Sequence, residues 1–249
     1  MPGIRINRFI ASTGSVSRRK ADELVRQERV LINSRTAVLS DVVDPDRDEV
    51  RLDGRRLSLQ KKVYLAMFKP KSMLTTLSDP QGRPCIRDLI PNRYAGVFPV
   101  GRLDFDAEGL IILTNDGDLA QKLHHPSFDV PKTYVVQVRP NPPVDALEKM
   151  SQGVILDGKK TRPAQIRILR QGKDGALLLI TLMQGVKNQI KRMASSVGLR
   201  VTSLKRISIG GVKLKGMSPG QVKELSAAEV NSLHKMLKKH DKNLDNSSH

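Results

Sequence analysis

Three carboxylates crowd one short stretch of the chain, Gly101-Arg102-Leu103-Asp104-Phe105-Asp106-Ala107-Glu108-Gly109-Leu110. Pro99 and Gly101 punctuate what reads as a strand end, and an apolar strand follows from Leu110. A carboxylate held in a loop between buried strands can attack an electrophilic carbon or take up a proton. Two such groups at close quarters can share acid and base roles, as in glycoside hydrolysis. Spacing leaves the choice among Asp104, Asp106 and Glu108 open, and on charge alone the same acids fit a solvated surface. Other chemistries are poorly served. Cys85 is the single cysteine, which excludes an internal disulfide and a thiolate zinc site. His124-His125-Pro126 reads as a turn, because adjacent histidines point apart and no third ligand is near. The sequence contains no phosphate-cradling glycine loop and no redox motif, so the expectation is no metal and no cofactor.

The acidic stretch is an exception in a basic chain. Across 249 residues, 43 Lys and Arg face 25 Asp and Glu, a formal net charge of +18. That excess favours a polyanionic partner, most often nucleic acid. A protein that only coated RNA would gain nothing from carboxylates beside phosphates, because they repel the ligand. No apolar run approaches the ~20 residues of a membrane span. The first residues, MPGIRINRFIAS, lack the apolar core and cleavage site of a secretory leader. With one cysteine, the expected compartment is the reducing cytoplasm.

The elements that must position these groups fall into three stretches. Residues 1–60 read as a small unit: Ile6, Phe9 and Ile10 repeat at helical spacing before Gly14. Ser17 is placed to cap a second helix whose inner face is Ala21, Leu24 and Val25. Val30-Leu31-Ile32 is β-prone, and Asp53-Gly54 centres a hairpin over 50–59. Arg5, Arg8, Arg18, Arg19, Lys20 and Arg26 face outward from the helix pair, with no acid before Asp22, which favours contact with phosphates. Gln60-Lys61-Lys62 reads as a linker. Residues 61–234 alternate strands (63–68, 97–100, 110–114, 134–138, 165–169, 176–182) with helices (119–123, 144–150, 189–197) without βαβ regularity. That pattern predicts an α+β domain with a mainly antiparallel mixed sheet flanked by helices. Residues 235–249, polar and basic, predict a disordered tail.

Two segments carry family resemblances. The run SRRKADELVRQERVLIN, at the centre of residues 4–57, resembles the small RNA-binding module named after ribosomal protein S-four, although Glu28-Arg29 stands where a glycine commonly precedes the basic residue. GRLDFDAEGLIILTNDG resembles the second motif of pseudouridine synthases of the RsuA/RluB type. Four further matches follow in family order: Lys69-Pro70, Lys132-Thr133-Tyr134, the run from Gln184-Gly185 to Gln189-Ile190-Lys191-Arg192-Met193, and Leu204-Lys205-Arg206-Ile207 with Pro219-Gly220. Ala107, Gln184, Val186 and Asn188 depart from the pattern, the family often having threonine, glutamate and basic residues there.

This resemblance implies an isomerase that converts uridine to pseudouridine, needing no cofactor because no group leaves and no electrons are exchanged. It makes Asp104 the nucleophile, puts Tyr134 against the target base and pairs Lys191 with the aspartate. A cation beside a carboxylate favours its charged form, and the base must first leave its stack. Lys69, Lys132, Lys187 and Arg192 join the expected RNA contacts. Arg102 is assigned either to a phosphate or to bracing Asp104. Asp79-Pro80-Gln81-Gly82-Arg83-Pro84 resembles the RluB branch, implying large-subunit ribosomal RNA. The expected partner is that RNA, free or in an assembly intermediate, and the expected enzyme is a monomer without membrane attachment. Two rival readings stand beside this one: a non-catalytic ribosome-assembly factor on the same scaffold, and a glycosidase using Asp104 with Glu108.

Overall fold

The computed structural model describes residues 3–245, with side chains through Lys238. Two compact units divide the chain. One comprises residues 1–63 with 91–98 and 114–117, and the other holds the rest. Residues 61–63, 91–98 and 114–117 of the expected second domain thus fall in the first unit.

In the first unit, helices α1 (Ile6–Ser12) and α2 (Arg18–Arg26) pack on a four-stranded antiparallel sheet. Its strands run in the order Arg35–Thr36, Val30–Ile32, Val50–Leu52, Arg55–Arg56. The core is Ile6, Phe9, Ile10, Ala21, Leu24, Val25, Val30, Ile32, Ala37, Val43 and Val50. Each large side chain there contributes about 1.5–3 kcal/mol by leaving water. Ser17 Oγ accepts from the Lys20 amide at 3.3 Å, the cap its position called for. After α2, Glu28 takes a left-handed φ of 56°. The turn that a glycine makes easily is therefore kept by a glutamate at some steric cost. Arg29 then grips Asp53 through two hydrogen bonds of 2.8 and 2.6 Å, tying the helix exit to the hairpin turn. Arg5, Arg18, Arg19, Lys20 and Arg26 are exposed, Arg8 is half-buried, and Lys20 pairs with Glu23 at 2.7 Å. The segment read as a linker is held in place. Asn115 Oδ1 accepts from the Val63 amide at 2.8 Å, and its Nδ2 donates to the Lys61 carbonyl at 3.0 Å.

The second unit is built on a nine-stranded sheet. The main path runs Gln165–Gln171, Ala176–Leu182, Lys132–Arg139, Arg200–Ile209, Glu108–Thr114, Tyr64–Lys69, Val222–Glu224. Each of the first four strands runs antiparallel to its neighbour, whereas Arg200–Ile209 and Glu108–Thr114 run parallel, with Arg206 opposite Gly109. Helices α3 (Gly117–His124), α4 (Val144–Gln152) and α5 (Gln189–Ser195) lie within two residues of their predicted bounds. Strand Arg200–Ile209 has no counterpart among the predicted strands. A buried arginine at 206 interrupts its apolar alternation, which hides the period of two.

The tail expectation is corrected as far as Asp245. Helix α6 spans Ala227–Asp245, and residues 246–249 lie outside the described residues. Two signals explain it. Ser226 and Glu229 form a capping box, the Ser226 amide donating to Glu229 Oε2 at 2.9 Å and the Glu229 amide to Ser226 Oγ at 3.3 Å. Val230, Leu233 and Leu237 then recur on one face, and the two leucines are buried. A Cβ on Gly210 would meet Leu233 Cδ2 at 2.9 Å, so the helix lies against that turn. No helix among the described residues is long and apolar enough to cross a membrane.

Candidate active site

Asp104 sits in the loop between strands Phe98–Val100 and Glu108–Thr114, and two side chains clamp that loop. Upstream, Thr75 Oγ1 accepts from the Leu103 amide at 3.1 Å and donates to the Leu103 carbonyl at 2.9 Å. Downstream, the Lys69 ammonium donates to the carbonyls of Ala107, Pro70 and Phe105 at 2.7, 2.9 and 3.5 Å. Lys69 is 0% exposed, which corrects its expected role as an RNA contact. Its charge is consumed by backbone acceptors that the fold brings round it. Burial lowers its pKa to about 8, against the opposing pull of Asp106, Asp104 and Glu108. Between the clamps the Ala107 amide donates to the Asp104 carbonyl at 3.2 Å, closing a turn that leaves the carboxylate projecting.

Two donors meet that carboxylate from α5 and its N-cap. Asn188, in the left-handed region at φ 53°, carries its amide to 2.9 and 2.7 Å from the two Asp104 oxygens, and the atom there is assigned as the NH2 because an amide oxygen would face only acceptors. Lys191 stands 3.5 Å from Asp104 and only 2.6 and 2.8 Å from the Asp106 oxygens. The expected ion pair is therefore shared, with Asp106 the tighter partner. Its hydrogen bond from Lys191 holds Asp106 below the usual carboxylate range. Asn188 was absent from the sequence-predicted site. It stood out there only as a departure from a basic residue, because a neutral amide gives no charge signal.

Asp104 opens into a cleft of about 530 Å³. Leu74, Val100, Leu123, Leu182, Ile190, Leu204 and Ile209 give it apolar walls wide enough for a flat heterocycle. Tyr134, Arg102, Lys132 and Lys187 line it as well. Tyr134 lies directly opposite Arg206 across the central strand pair. Arg206, 3% exposed, donates from Nε to the Leu110 carbonyl at 2.8 Å and from Nη1 to the Arg102 carbonyl at 3.4 Å. It so ties together the two sides of the Asp104 loop. Lys132 donates to the Val130 carbonyl at 3.2 Å. Burial, with the positive charge of Arg206 adding to it, pushes its pKa down to about 8. Arg192 lies on α5 outside the cleft lining and forks onto Asp157 at 2.9 and 2.6 Å. No group of three metal-ligating side chains occurs among the described residues.

The arrangement can hold a planar base against Tyr134 while a carboxylate with two donors approaches the attached sugar. Comparison with known proteins agrees with that chemistry. The sequence profile of the family described as RNA pseudouridylate synthase matches residues 63–196. An uncharacterized RNA pseudouridine synthase of Aquifex aeolicus is 41% identical over 237 residues, covering 94% of this chain and 95% of its own. The ribosomal large subunit pseudouridine synthase B of Bacillus subtilis is 34% identical over 241 residues, covering 96% and 98%. A crystal structure of a pseudouridylate synthase, 28% identical, superposes with a TM-score of 0.67 over 92% of this chain and 99% of that one. A profile matching over half the chain, with relatives aligned almost end to end, sets aside the glycosidase reading. This chain belongs to the RNA pseudouridylate synthase family, enzymes that isomerise uridine within RNA.

Proposed function

We propose that this enzyme isomerises uridine in large-subunit ribosomal RNA, with Asp104 as the group that acts on the ribose. The single observation that carries the assignment of Asp104 is its setting. Of the three acids in the loop it alone lines the cleft, and Asn188 donates to both its oxygens. Asp106 is spent on Lys191.

The flipped-out uracil lies along Tyr134, where base–aromatic stacking is worth about 1–3 kcal/mol. The bond from C1′ to N1 breaks, the base turns, and C1′ bonds to C5. The C5 proton is lost to solvent and N1 takes one up, so the product is an isomer. Asp104 serves this sequence either by attacking C1′ or by removing a ribose proton. Arg102, Lys132 and Lys187 present positive charge to the RNA backbone at the cleft. The first unit, with exposed Arg5, Arg18, Arg19, Lys20 and Arg26 on its helix pair, serves as an RNA-gripping module of the S-four type. The large-subunit substrate is supported by the Bacillus relative's name and by the DPQGRP segment at 79–84. We read the enzyme as a cytoplasmic monomer acting in ribosome biogenesis, a compartment that its single buried cysteine suits.

Tritium release from RNA carrying 5-tritiated uridine tests the assignment directly. Asp104→Asn should release none from large-subunit ribosomal RNA that the parent enzyme modifies. Release at the parent rate would mean that another group acts on the ribose, whereas a parent enzyme that releases none would return the chain to the reading of a non-catalytic binding factor. Pseudouridine mapping in cells lacking the protein then identifies the position.

A further inference from the structure

We infer that Arg206 and Gln184 are the donors that read the two carbonyl oxygens of the flipped-out uracil. The inference rests on the cleft beside Asp104 being where uridine is isomerised. Among the described residues, three buried side-chain polar atoms have no hydrogen-bond partner: Asn141 Oδ1, Gln184 Nε2 and Arg206 Nη2. The latter two belong to residues lining this one cleft, and both are donors. A fold seldom leaves a buried donor unpaired, because the desolvation of that group goes uncompensated. Nor can Arg206 turn to find another acceptor. Its Nε and Nη1 are held by the carbonyls of Leu110 and Arg102, which fixes the plane of the guanidinium.

What enters the cleft supplies the acceptors. Uracil carries carbonyl oxygens at positions 2 and 4, so two orphan donors match its edge in number and polarity. Cytosine keeps the first oxygen but bears an amino donor at position 4, which would face one of these donors with neither satisfied. The pair thereby selects uridine. The same contact bears on the chemistry. When the C1′–N1 bond breaks, the base retains the electron pair, and the negative charge spreads onto O2 and O4. A guanidinium donating to one of them stabilises the detached base until C1′ bonds to C5. Arg206 meets only carbonyl oxygens in its other hydrogen bonds, so its charge is not spent on a carboxylate there.

The test is a cycle between protein and substrate. A synthetic RNA spanning the mapped uridine is made with uridine, 2-thiouridine or 4-thiouridine at that position, sulfur being a much weaker acceptor than oxygen. The rate on oxygen relative to sulfur is measured for the parent, Gln184→Leu and Arg206→Lys. Each ratio is taken within one preparation, so the folded fraction cancels. In the parent enzyme each sulfur should lower kcat/KM by about tenfold or more. Each variant should be slower on uridine and should lose one of the two sulfur penalties, its ratio falling close to one. Parent-sized penalties in both variants, or none in the parent, would overturn the inference. Gln184→Leu decides alone if Arg206→Lys does not fold, since the Gln184 Nε2 it removes supports no other group. Asp104→Asn on the uridine RNA keeps the two readings apart. If that variant is inert while the sulfur penalties do not move, the cleft stands and the readers are wrong.

Discussion

Gly109 and Arg206 face each other across the parallel strand pair so closely that a Cβ on Gly109 would stand 2.2 Å from the Arg206 carbonyl oxygen. Gly109 also has φ +119°, a conformation that side chains rarely adopt. This contact lets the strand after the Asp104 loop lie against the strand carrying Arg206. It is the point where two distant segments are brought into one cleft. Gly109→Ala should therefore push the strands apart and cost at least about 3 kcal/mol. For a domain of this size that is a fall in Tm of roughly 6–12 °C. An unchanged Tm would mean that the contact is slack.

Lys69 is a clamp buried in the protein, and its replacement should look like one. Lys69→Met leaves the carbonyls of Pro70, Phe105 and Ala107 without their donor. At about 1–3 kcal/mol for an unsatisfied buried group, the expected loss of stability is about 2–4 kcal/mol, with slower turnover as the Asp104 loop loosens. RNA affinity measured by filter binding at permissive temperature should stay within about twofold. A tenfold loss of affinity with intact stability would restore the RNA-contact role expected from sequence.

Asn188 combines a left-handed backbone with an amide directed at Asp104, and two substitutions separate those features. Asn188→Gly keeps the backbone region and removes the donor, whereas Asn188→Ala adds backbone strain. Both should lower kcat by about tenfold, the worth of a hydrogen bond to a charged group. Only the alanine variant should melt earlier, by roughly 2–4 °C for each ~1 kcal/mol of strain. Full activity in Asn188→Gly would remove the amide from the mechanism.

Lys132, proposed as an RNA contact, should make RNA binding depend on pH. Its pKa is pushed down to about 8, so its charge is present at neutral pH and is lost as pH rises through that value. Between about 8 and the ordinary lysine value the unfolded chain holds the extra proton, so this group's contribution to stability rises with pH there. Binding moves the other way. KM for RNA should climb by about three- to tenfold from pH 7 to 9, while Lys132→Arg, charged throughout, should flatten the profile. A parallel rise in both enzymes would acquit Lys132.

Much of the scaffold was legible because it obeys local periodicities. Alternation marked the strands over 63–68, 134–138 and 176–182 within one or two residues, and Asp53-Gly54 turned its hairpin as expected. Helix α6 was missed, although its Ser226–Glu229 capping box and leucine spacing are written in the sequence, because the lysines around them dominate the composition. Strand Arg200–Ile209 was missed for the converse reason, a charge at a buried position.

The sequence pointed to the class of enzyme through a resemblance: GRLD within an acidic island, followed by KTY and QIKRM, is similar to the motifs of one family. Residue types and spacing alone left a glycosidase and a solvated acidic surface open. The tertiary structure alone decided what each group touches. Lys69 spends its ammonium on carbonyls up to 38 residues away, Lys191 prefers Asp106 to Asp104, and Asn188 takes the place beside Asp104. The orphan donors of Arg206 and Gln184 share one cleft only after the sheet has assembled. The physical reason is that a hydrogen bond needs its partners within about 3 Å. Sequence sets which donors and acceptors exist, but which of them come that close is set by the packing of strands and loops far apart in the chain.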